Sequence, residues 1–398
     1  MRIALLAACV TALLFGCDRQ RSTKMISSGQ ATAESVFVTR DHQDNPVVVW
    51  TEKENDKLTL FFATADDDAA SISSPIALSL TSDVATHAES MPKVAFKKDG
   101  SIIAAYEKKS PTTQNKYASA IYYVASVDGG KSWSEESTIH RDTVAGKSRS
   151  YFDIERLPDG EVGASWLDIK INHETGGRSV RFARTTSSNR FANEVLIDSS
   201  ACQCCRIDVY TDKTENIFVT YRGLVKGQMG KQIRDMMIAT STDHGATFSK
   251  PVTISADNWN IDGCPHTGPS LCGTKAGLIS LWYTEGSGTG IYYAEKPNAE
   301  ANFSPRELVS GTGHHPQLAA NEDRIVMLWE ENSNSNGTQN TVIHYRIVRA
   351  GVDTQNEALT EKEANAFLPV VTPTNSSFLV AYLSEKDGRI GVYLTTVK

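Results

Sequence analysis

The stretch NPVVVWTE (residues 45–52) is a run of β-branched residues that leads to a tryptophan, and six similar phrases follow it along the chain. They are GSIIAAYE (100–107), GEVGASWLD (160–168), NIFVTYRG (216–223), GLISLWYTE (277–285), DRIVMLWEE (323–331) and SSFLVAYLSE (376–385). Valine, isoleucine and aromatic residues are enriched in β-strands. No long stretch shows the 3.6-residue hydrophobic period of an amphipathic helix. The phrases therefore predict strands, and the chain is predicted to be all-β.

The spacing of these phrases indicates the architecture. Successive phrases place an aromatic residue every 47 to 61 positions. The marker residues are Trp50, Tyr106, Trp166, Tyr221, Trp282, Trp329 and Tyr382. A period near fifty residues, built from short strands and turns, is typical of a propeller blade. We predict a β-propeller of four-stranded antiparallel blades, with seven blades preferred and six as the alternative. Two stacked sandwiches would not require a constant interval.

The last repeat unit, from about Phe367, contains only three clear strands. A propeller ring closes when its last blade is completed. We therefore predict that the segment near Lys24–Ser28 supplies the missing outer strand.

Two turns between predicted third and fourth strands share the pattern Ser-x-Asp-x-Gly-x-x-aromatic, namely SVDGGKSW (126–133) and STDHGATF (241–248). The aspartate can accept hydrogen bonds from the turn backbone, glycine permits positive φ, and the aromatic ring packs beneath the turn. The residues to which we assign this structural role are Asp128, Gly130, Trp133, Asp243, Gly245 and Phe248.

This pattern resembles the Asp-box, the bacterial neuraminidase repeat of the sialidase superfamily. The resemblance implies a propeller fold in which the boxes are structural. Active sialidases carry an Arg-Ile-Pro motif, an arginine triad for the substrate carboxylate, an aspartate acid/base and a Tyr–Glu nucleophilic pair. This chain has no Arg-Ile-Pro and reads SMPKVAF (90–96) at the corresponding strand. Since fold alone does not confer chemistry, we predict that the protein is not a functional sialidase.

A remodelled glycosidase pocket remains an alternative, and the chain offers candidate residues for it. Guanidinium groups bind carboxylates through paired hydrogen bonds. The candidate ligand-binding residues are Arg149, Arg206, Arg222 and Trp259. Tyr151 and Asp153, close to Arg149 in sequence, are the candidate catalytic residues. These positions do not match the family's motif, and surface or interblade ion pairs are the simpler explanation of the arginines.

Cysteine and histidine residues precede three successive predicted innermost strands, in CQCC (202–205), GCPHTGP (263–269) and GTGHHPQL (311–318). In a propeller, the links from an outer strand to the next inner strand all open on one face, around the central channel. The residues predicted to meet there as metal ligands are Cys202, Cys204, Cys205, Cys264, His266, His314 and His315. Thiolate and imidazole suit Cu(I) and Zn(II). The Cys-x-Cys-Cys spacing is too tight for a zinc ribbon, which favours copper over zinc.

Disulfide bonding is the structural alternative for these cysteines. Exported proteins usually oxidise their thiols. Five cysteines remain outside residues 1–17, and because this number is odd at least one of them stays unpaired within the chain. A disulfide from the CQCC cluster to Cys264 or Cys272 is one possibility. If disulfides join the cysteines around the channel opening, we expect the protein to be a glycan- or protein-binding scaffold.

The N-terminal stretch MRIALLAACVTALLFGC (1–17) resembles a bacterial lipoprotein signal in which Cys17 is lipidated. Its apolar run is too short to span a bilayer comfortably; an ordinary cleaved signal is the alternative. We predict a flexible tether over 18–33 and the propeller over 34–398. The protein is then held at the bacterial cell envelope by its lipid, facing the periplasm or the exterior. The net charge of −7 is spread along the chain without a basic patch, which argues against nucleic acid as a partner.

Overall fold

The computed structural model describes residues 22–67, 69, 71–227, 230–261, 263–298, 301–321, 324–335, 337–349 and 352–398. These residues form strands, turns and irregular segments, and none of them belongs to a helix that could cross a membrane. The predicted signal segment and its Cys17 lie outside the described residues.

Seven antiparallel sheets are arranged around one central channel. The first strand of each sheet contacts the first strand of the next, and the last contact returns to the first sheet, which closes a ring. The predicted seven-bladed propeller of four-stranded blades is confirmed. Strands are numbered β1–β31 in chain order, and blades 1–7 follow the order of their first strands.

The strands fall into four concentric positions. The innermost are β2 (Thr32–Arg40), β6 (Lys93–Phe96), β10 (Ser150–Arg156), β14 (Asp208–Thr211), β20 (Ser270–Thr274), β24 (His314–Asn321) and β29 (Ala366–Pro373). The second are β3 (Pro46–Glu54), β7 (Ile102–Lys109), β11 (Val162–Leu167), β15 (Ile217–Arg222), β21 (Gly277–Thr284), β25 (Arg324–Ser335) and β30 (Phe378–Lys386). The third are β4 (Lys57–Thr64), β8 (Ser119–Ser126), β12 (Arg178–Thr185), β18 (Met236–Ser241), β22 (Gly290–Lys296), β26 (Thr338–Arg349) and β31 (Arg389–Val397).

The outermost strands are short in most blades. They are β5 (Ile76–Leu80), β9 (Ser137–Thr138), β13 (Phe191–Ala201), β19 (Val252–Thr253), β23 (Glu307–Ser310), the pair β27 (Val352–Asp353) and β28 (Glu357–Ala358), and β1 (Lys24–Met25). Blade 4 also carries a small hairpin of β16 (Val225–Lys226) and β17 (Gln232–Ile233) between its second and third strands.

The seven marker aromatic residues are all buried, as interblade packing requires. A buried tryptophan needs a partner for its indole N–H. Trp50, Trp166 and Trp329 each donate this N–H to the acidic residue two positions later, at 2.7–2.8 Å. The repeated aromatic-x-acid phrase therefore supplies both the apolar contact and the polar partner.

The ring is closed by the two ends of the described chain. Lys24 pairs with Leu394 and Met25 with Tyr393, so β1 becomes the outer strand of blade 7 beside β31. The predicted closing strand is confirmed. Thr32 and Ala33 already belong to β2, so the described end of the segment predicted as a tether, 18–33, is part of the propeller.

The two complete Asp-boxes have the predicted local structure. The Asp128 carboxylate accepts hydrogen bonds from the Ser132 backbone N–H at 2.9 Å and hydroxyl at 2.6 Å. Gly130 has φ +83°, and Trp133 packs edge-on against Phe62. Asp243 repeats the arrangement with Thr247, Gly245 has φ +84°, and Phe248 packs on Phe182.

Strand direction determines where the links lie. Because the strands of a blade alternate in direction, the fourth strand of one blade ends on the face where the first strand of the next blade begins. The Asp-box turns lie on the opposite face. We call the face that carries the links, around the channel opening, the channel mouth.

Candidate metal site at the channel mouth

Two links bring together, at the channel mouth, five side chains that could bind a metal ion. The link from β13 to β14 carries Cys202, Cys204 and Cys205, and the link from β19 to β20 carries Cys264 and His266. The donor atoms form two groups of three, and within each group all atoms lie within 4.8 Å of one another. The inner triad is Cys202, Cys204 and Cys205; the outer triad is Cys204, Cys264 and His266. Cys204 belongs to both triads.

Two sulfur–sulfur distances in the inner triad are compatible with ligands of one metal ion. The Sγ atom of Cys202 lies 4.0 Å from that of Cys204 and 3.8 Å from that of Cys205. Sulfur ligands at about 2.3 Å from one tetrahedral ion stand about 3.8 Å apart. A disulfide would hold the two atoms at about 2.05 Å. All five described cysteines are free, so the disulfide bonding considered from the sequence is not the arrangement observed.

The two triads differ in their access to solvent. Cys202, Cys204 and Cys205 have exposed fractions of 1%, 4% and 2%. Cys264 and His266 are exposed. The inner triad is therefore enclosed, whereas the outer triad has an open side.

Hydrogen bonds from neighbouring blades fix the cysteine loop. The Cys202 N–H donates to the Arg222 carbonyl oxygen at 2.8 Å, and the Gln203 side-chain amide donates to the Gly176 carbonyl oxygen at 3.1 Å. At the end of the loop, the Arg206 N–H donates to the Glu89 carboxylate at 2.7 Å. Such anchoring positions the sulfur atoms before any metal binds.

A glycine lets the two links of the candidate site touch. A Cβ atom on Gly268 would lie 2.2 Å from the Cγ atom and 2.5 Å from the carbonyl oxygen of Arg206. Real Cβ atoms do not approach backbone atoms this closely, so only glycine fits here. Two residues earlier, His266 has φ +48°, the left-handed conformation that few non-glycine residues adopt.

Bulges at the starts of the innermost strands orient side chains at the channel mouth. Tyr151, His315 and Leu368 have φ values of +56°, +48° and +52°, each at a register shift in its strand. β-Bulges change the direction of a side chain and occur often beside functional sites. Tyr151, a catalytic candidate from the sequence, packs against the three cysteines of the inner triad, and its ring centroid lies 5.8 Å from that of His87.

A buried arginine gives the inner triad a positive neighbour. The Arg234 Nη1 atom donates to Cys202 Sγ at 3.2 Å. Hydrogen bonds from the Cys204 and Cys205 thiols, together with the charges of Arg234 and Arg222, lower the pKa of Cys202. Burial raises the pKa of Cys205. No motif in the sequence marks Arg234, which lies just before β18.

His314 and His315 were predicted as ligands, but they belong to neither triad. The His315 Nδ1 atom lies 2.9 Å from Glu330 Oε2, so this ring nitrogen already has a carboxylate partner. Burial favours the neutral ring, but the hydrogen bond and charge of Glu330 outweigh it and raise the pKa of His315. The His314 ring packs on Tyr283, with centroids 5.0 Å apart.

The predicted carboxylate-binding arginines have separate internal partners. Arg149 pairs with Asp142 at 2.6 Å and Arg206 with Glu89 at 3.0 Å. Arg222 donates to the carbonyl oxygens of Thr267 and Tyr283 at 3.1 and 2.8 Å and stacks on Trp259, its guanidinium carbon 4.6 Å from the ring centroid. Trp259 is itself buried, so it covers Arg222 rather than presenting an open face to a ligand.

Asp153, the other catalytic candidate, lies in the wall of the central channel, which encloses about 300 Å³. One carboxylate oxygen is 2.6 Å from Lys93 Nζ, and the other accepts the Val209 N–H at 2.8 Å. Both oxygens are therefore engaged in joining neighbouring inner strands.

Solved structures with the same architecture include polysaccharide lyases. A PL25 ulvan lyase bound to -[GlcA(1-4)Rha3S]- matches with 11% identity over 94% of this chain and 96% of its own, at a TM-score of 0.57. The polysaccharide lyase Uly1 matches with 10% identity over 92% and 89%, at a TM-score of 0.56. A protein of unknown function from Dyadobacter fermentans matches with 16% identity over 77% and 93%, at 0.51. Weaker matches include arabinanase and sialidase structures.

These identities establish the fold and no more. The chain is a seven-bladed β-propeller, and a propeller is the class of fold that the Asp-box resemblance implied. Comparison with models of protein families and with curated proteins found no match.

Proposed function

We propose that the protein binds a transition metal at the channel mouth, with copper as Cu(I) preferred over zinc. The observation that carries this proposal is the inner triad of three buried thiols. The Sγ atom of Cys202 lies 4.0 Å from that of Cys204 and 3.8 Å from that of Cys205. Thiolate ligands select soft ions such as Cu(I).

Coordination number favours copper over zinc. Structural zinc is almost always bound by four protein ligands. Among the described histidine, cysteine and acidic residues, no four donor atoms lie within 4.8 Å of one another. An enclosed set of three sulfur atoms instead suits a three-coordinate soft ion.

Charge favours a monovalent ion. Three thiolates and Cu(I) carry a net charge of −2, and a buried charge needs compensation. Arg234 and Arg222, whose charges both act on Cys202, supply two positive charges. With Zn(II), the same groups would leave an excess positive charge.

We further propose that the protein acts at the cell envelope, anchored by lipid at Cys17. In that compartment free thiols oxidise, and bound metal would protect them. The protein would then receive, hold or pass on copper outside the cytoplasm.

Metal analysis of the full chain, purified without chelator, tests the binding proposal. We expect copper in the wild-type protein and a loss of at least half of it in Cys202→Ser. Cys272→Ser is the matched control because Cys272 is buried in β20 and belongs to neither triad, so its copper content should be unchanged. Copper at trace level in wild-type protein reconstituted with Cu(I) would reject the proposal.

A glycan-directed activity is the second candidate, and the observation that favours it is the fold shared with polysaccharide lyases at TM-scores of 0.56 and 0.57. An exo-acting glycosidase of sialidase type and a glycan-binding scaffold both fall in this class. The internal partners of Arg149, Arg206 and Arg222 weigh against a carboxylate-binding pocket. Release of a fluorogenic sialoside by the purified protein would establish the glycosidase alternative, and we expect none.

A further inference from the structure

The five donors at the channel mouth do not form one four-ligand site. They form two groups of three that share a single atom, the Sγ of Cys204. A single ion holds its ligands at about 2.0–2.3 Å, so they must lie within about 4.6 Å of one another. An ion in the inner triad would therefore leave Cys264 and His266 outside its coordination shell.

We propose that the channel mouth binds two soft metal ions, one in each triad, bridged by the thiolate of Cys204. This inference rests on the proposed metal-binding function and adds a second site to it. A thiolate sulfur has more than one lone pair and can donate to two ions at once. The outer ion would be held by Cys204, Cys264 and His266.

Charge balance is compatible with two monovalent ions. The four thiolates of Cys202, Cys204, Cys205 and Cys264 with two Cu(I) ions carry a net charge of −2. The guanidinium groups of Arg234 and Arg222 offset this charge on the buried side, where compensation is most needed.

The difference in burial gives the two ions different roles. The inner triad is enclosed, and Tyr151 packs against it. The outer triad combines one buried and two exposed ligands, so an incoming ligand can reach its ion directly. The outer ion is therefore the exchangeable one.

Titration of the reduced, metal-free full chain with Cu(I) tests this inference, without oxygen and against a chromophoric Cu(I) chelator. We expect two equivalents per chain in the wild type and in Cys272→Ser. Cys264→Ser and His266→Ala should each bind one equivalent. Both outer ligands are exposed, so these variants are expected to fold, which near-ultraviolet circular dichroism will verify.

The possible results separate the two proposals. One equivalent in the wild type, unchanged in Cys264→Ser, overturns the two-ion site and leaves the proposed function standing. No binding in the wild type overturns both proposals.

The rate of copper removal gives a second readout. An excess of chelator should remove copper from the wild type in two phases of similar amplitude. Cys264→Ser should retain only the slow phase. A single phase in the wild type, at the rate seen in Cys264→Ser, would contradict an exchangeable outer ion.

Discussion

The Nη1 atom of Arg234 lies 3.2 Å from the Sγ atom of Cys202, and both side chains are buried. Arg234 is held in place by its own N–H, which donates to the Trp259 carbonyl oxygen at 2.9 Å, and by its Nε, which donates to that of Ile261 at 3.3 Å. Trp259 and Ile261 belong to the link that also carries Cys264. The positive charge beside the inner triad is thus fixed by the segment that supplies the outer ligands.

Replacing Arg234 by glutamine should reduce the preference for Cu(I) over Zn(II). A unit charge about 5 Å from an ion is worth about 3 kcal/mol at an effective dielectric constant of about 20. Because a divalent ion feels this repulsion twice, its removal favours Zn(II). The ratio of the two affinities should fall by about 100-fold, since each factor of ten corresponds to about 1.4 kcal/mol, and competition titration measures it.

Arg234→Lys is the control for this prediction because it retains the charge. The lysine variant should keep most of the wild-type preference. An equal change in both variants would show that Arg234 acts through packing alone.

Gly268→Ala should separate the two links that carry the proposed metal ligands. The new Cβ atom would lie 2.2 Å from Arg206 Cγ, so the link must move and carry Cys264 and His266 away from Cys204. Overpacking of this kind typically costs about 1–3 kcal/mol. Copper stoichiometry should fall by one equivalent, and the midpoint of thermal unfolding should decrease.

Gly263→Ala is the matched control in the same link. A Cβ atom there would meet nothing closer than 3.7 Å. Copper content should therefore be unchanged. If both glycine variants bind as much copper as the wild type, close contact between the loops is not needed for the site.

The ion pair between His315 and Glu330 should make the stability of the metal-free protein depend on pH. The pKa of His315 is raised in the folded state, so its contribution is complete below pH of about 6.5 and is lost as the pH rises through the folded-state pKa. Because the ring is partly exposed, we expect about 1 kcal/mol.

Thermal unfolding between pH 5.5 and 8.5 measures this effect. The wild type should lose its advantage over His315→Gln as the pH rises. His173→Gln, at an exposed histidine, should follow the wild type throughout. A constant difference between the wild type and His315→Gln would contradict the assignment.

The Asp-box carboxylates should stabilise the propeller without affecting metal binding. Hydrogen bonds from Ser132 and Thr247 lower the pKa values of Asp128 and Asp243 to about 2. A lowered pKa stabilises the folded state above pH of about 4, and this contribution is lost as the pH falls towards 2. Asp128→Asn and Asp243→Asn should unfold at lower temperatures than the wild type at pH 7, and this difference should shrink on acidification. Loss of copper in either variant would contradict a purely structural role.

The sequence predicts the ring well because the propeller repeats one local rule. Trp50, Trp166 and Trp329 each combine an interblade contact with an acidic partner two residues away. Because both residues lie in one short segment, the pattern can be recognised in the sequence. Closure by Lys24–Met25 follows from counting the strands of the last unit.

The site is only partly predictable because its details depend on backbone conformation. Topology alone brings the CQCC and GCPHTGP links to one face, which the structure confirms. No sequence pattern indicates the left-handed bulge at His315 or its pairing with Glu330. The sequence therefore predicts both adjacent histidines as ligands, whereas the structure places them in neither triad. Arg234 was missed because its contact with Cys202 joins residues whose proximity only the folded link creates.

Copper K-edge X-ray absorption on protein loaded with one equivalent of Cu(I) tests the central claim most directly. A copper ion in the inner triad should show three sulfur neighbours at about 2.3 Å and no shell of nitrogen or oxygen. A first shell dominated by nitrogen or oxygen, or a spectrum unchanged in Cys202→Ser, would contradict a buried three-thiolate copper site at the channel mouth.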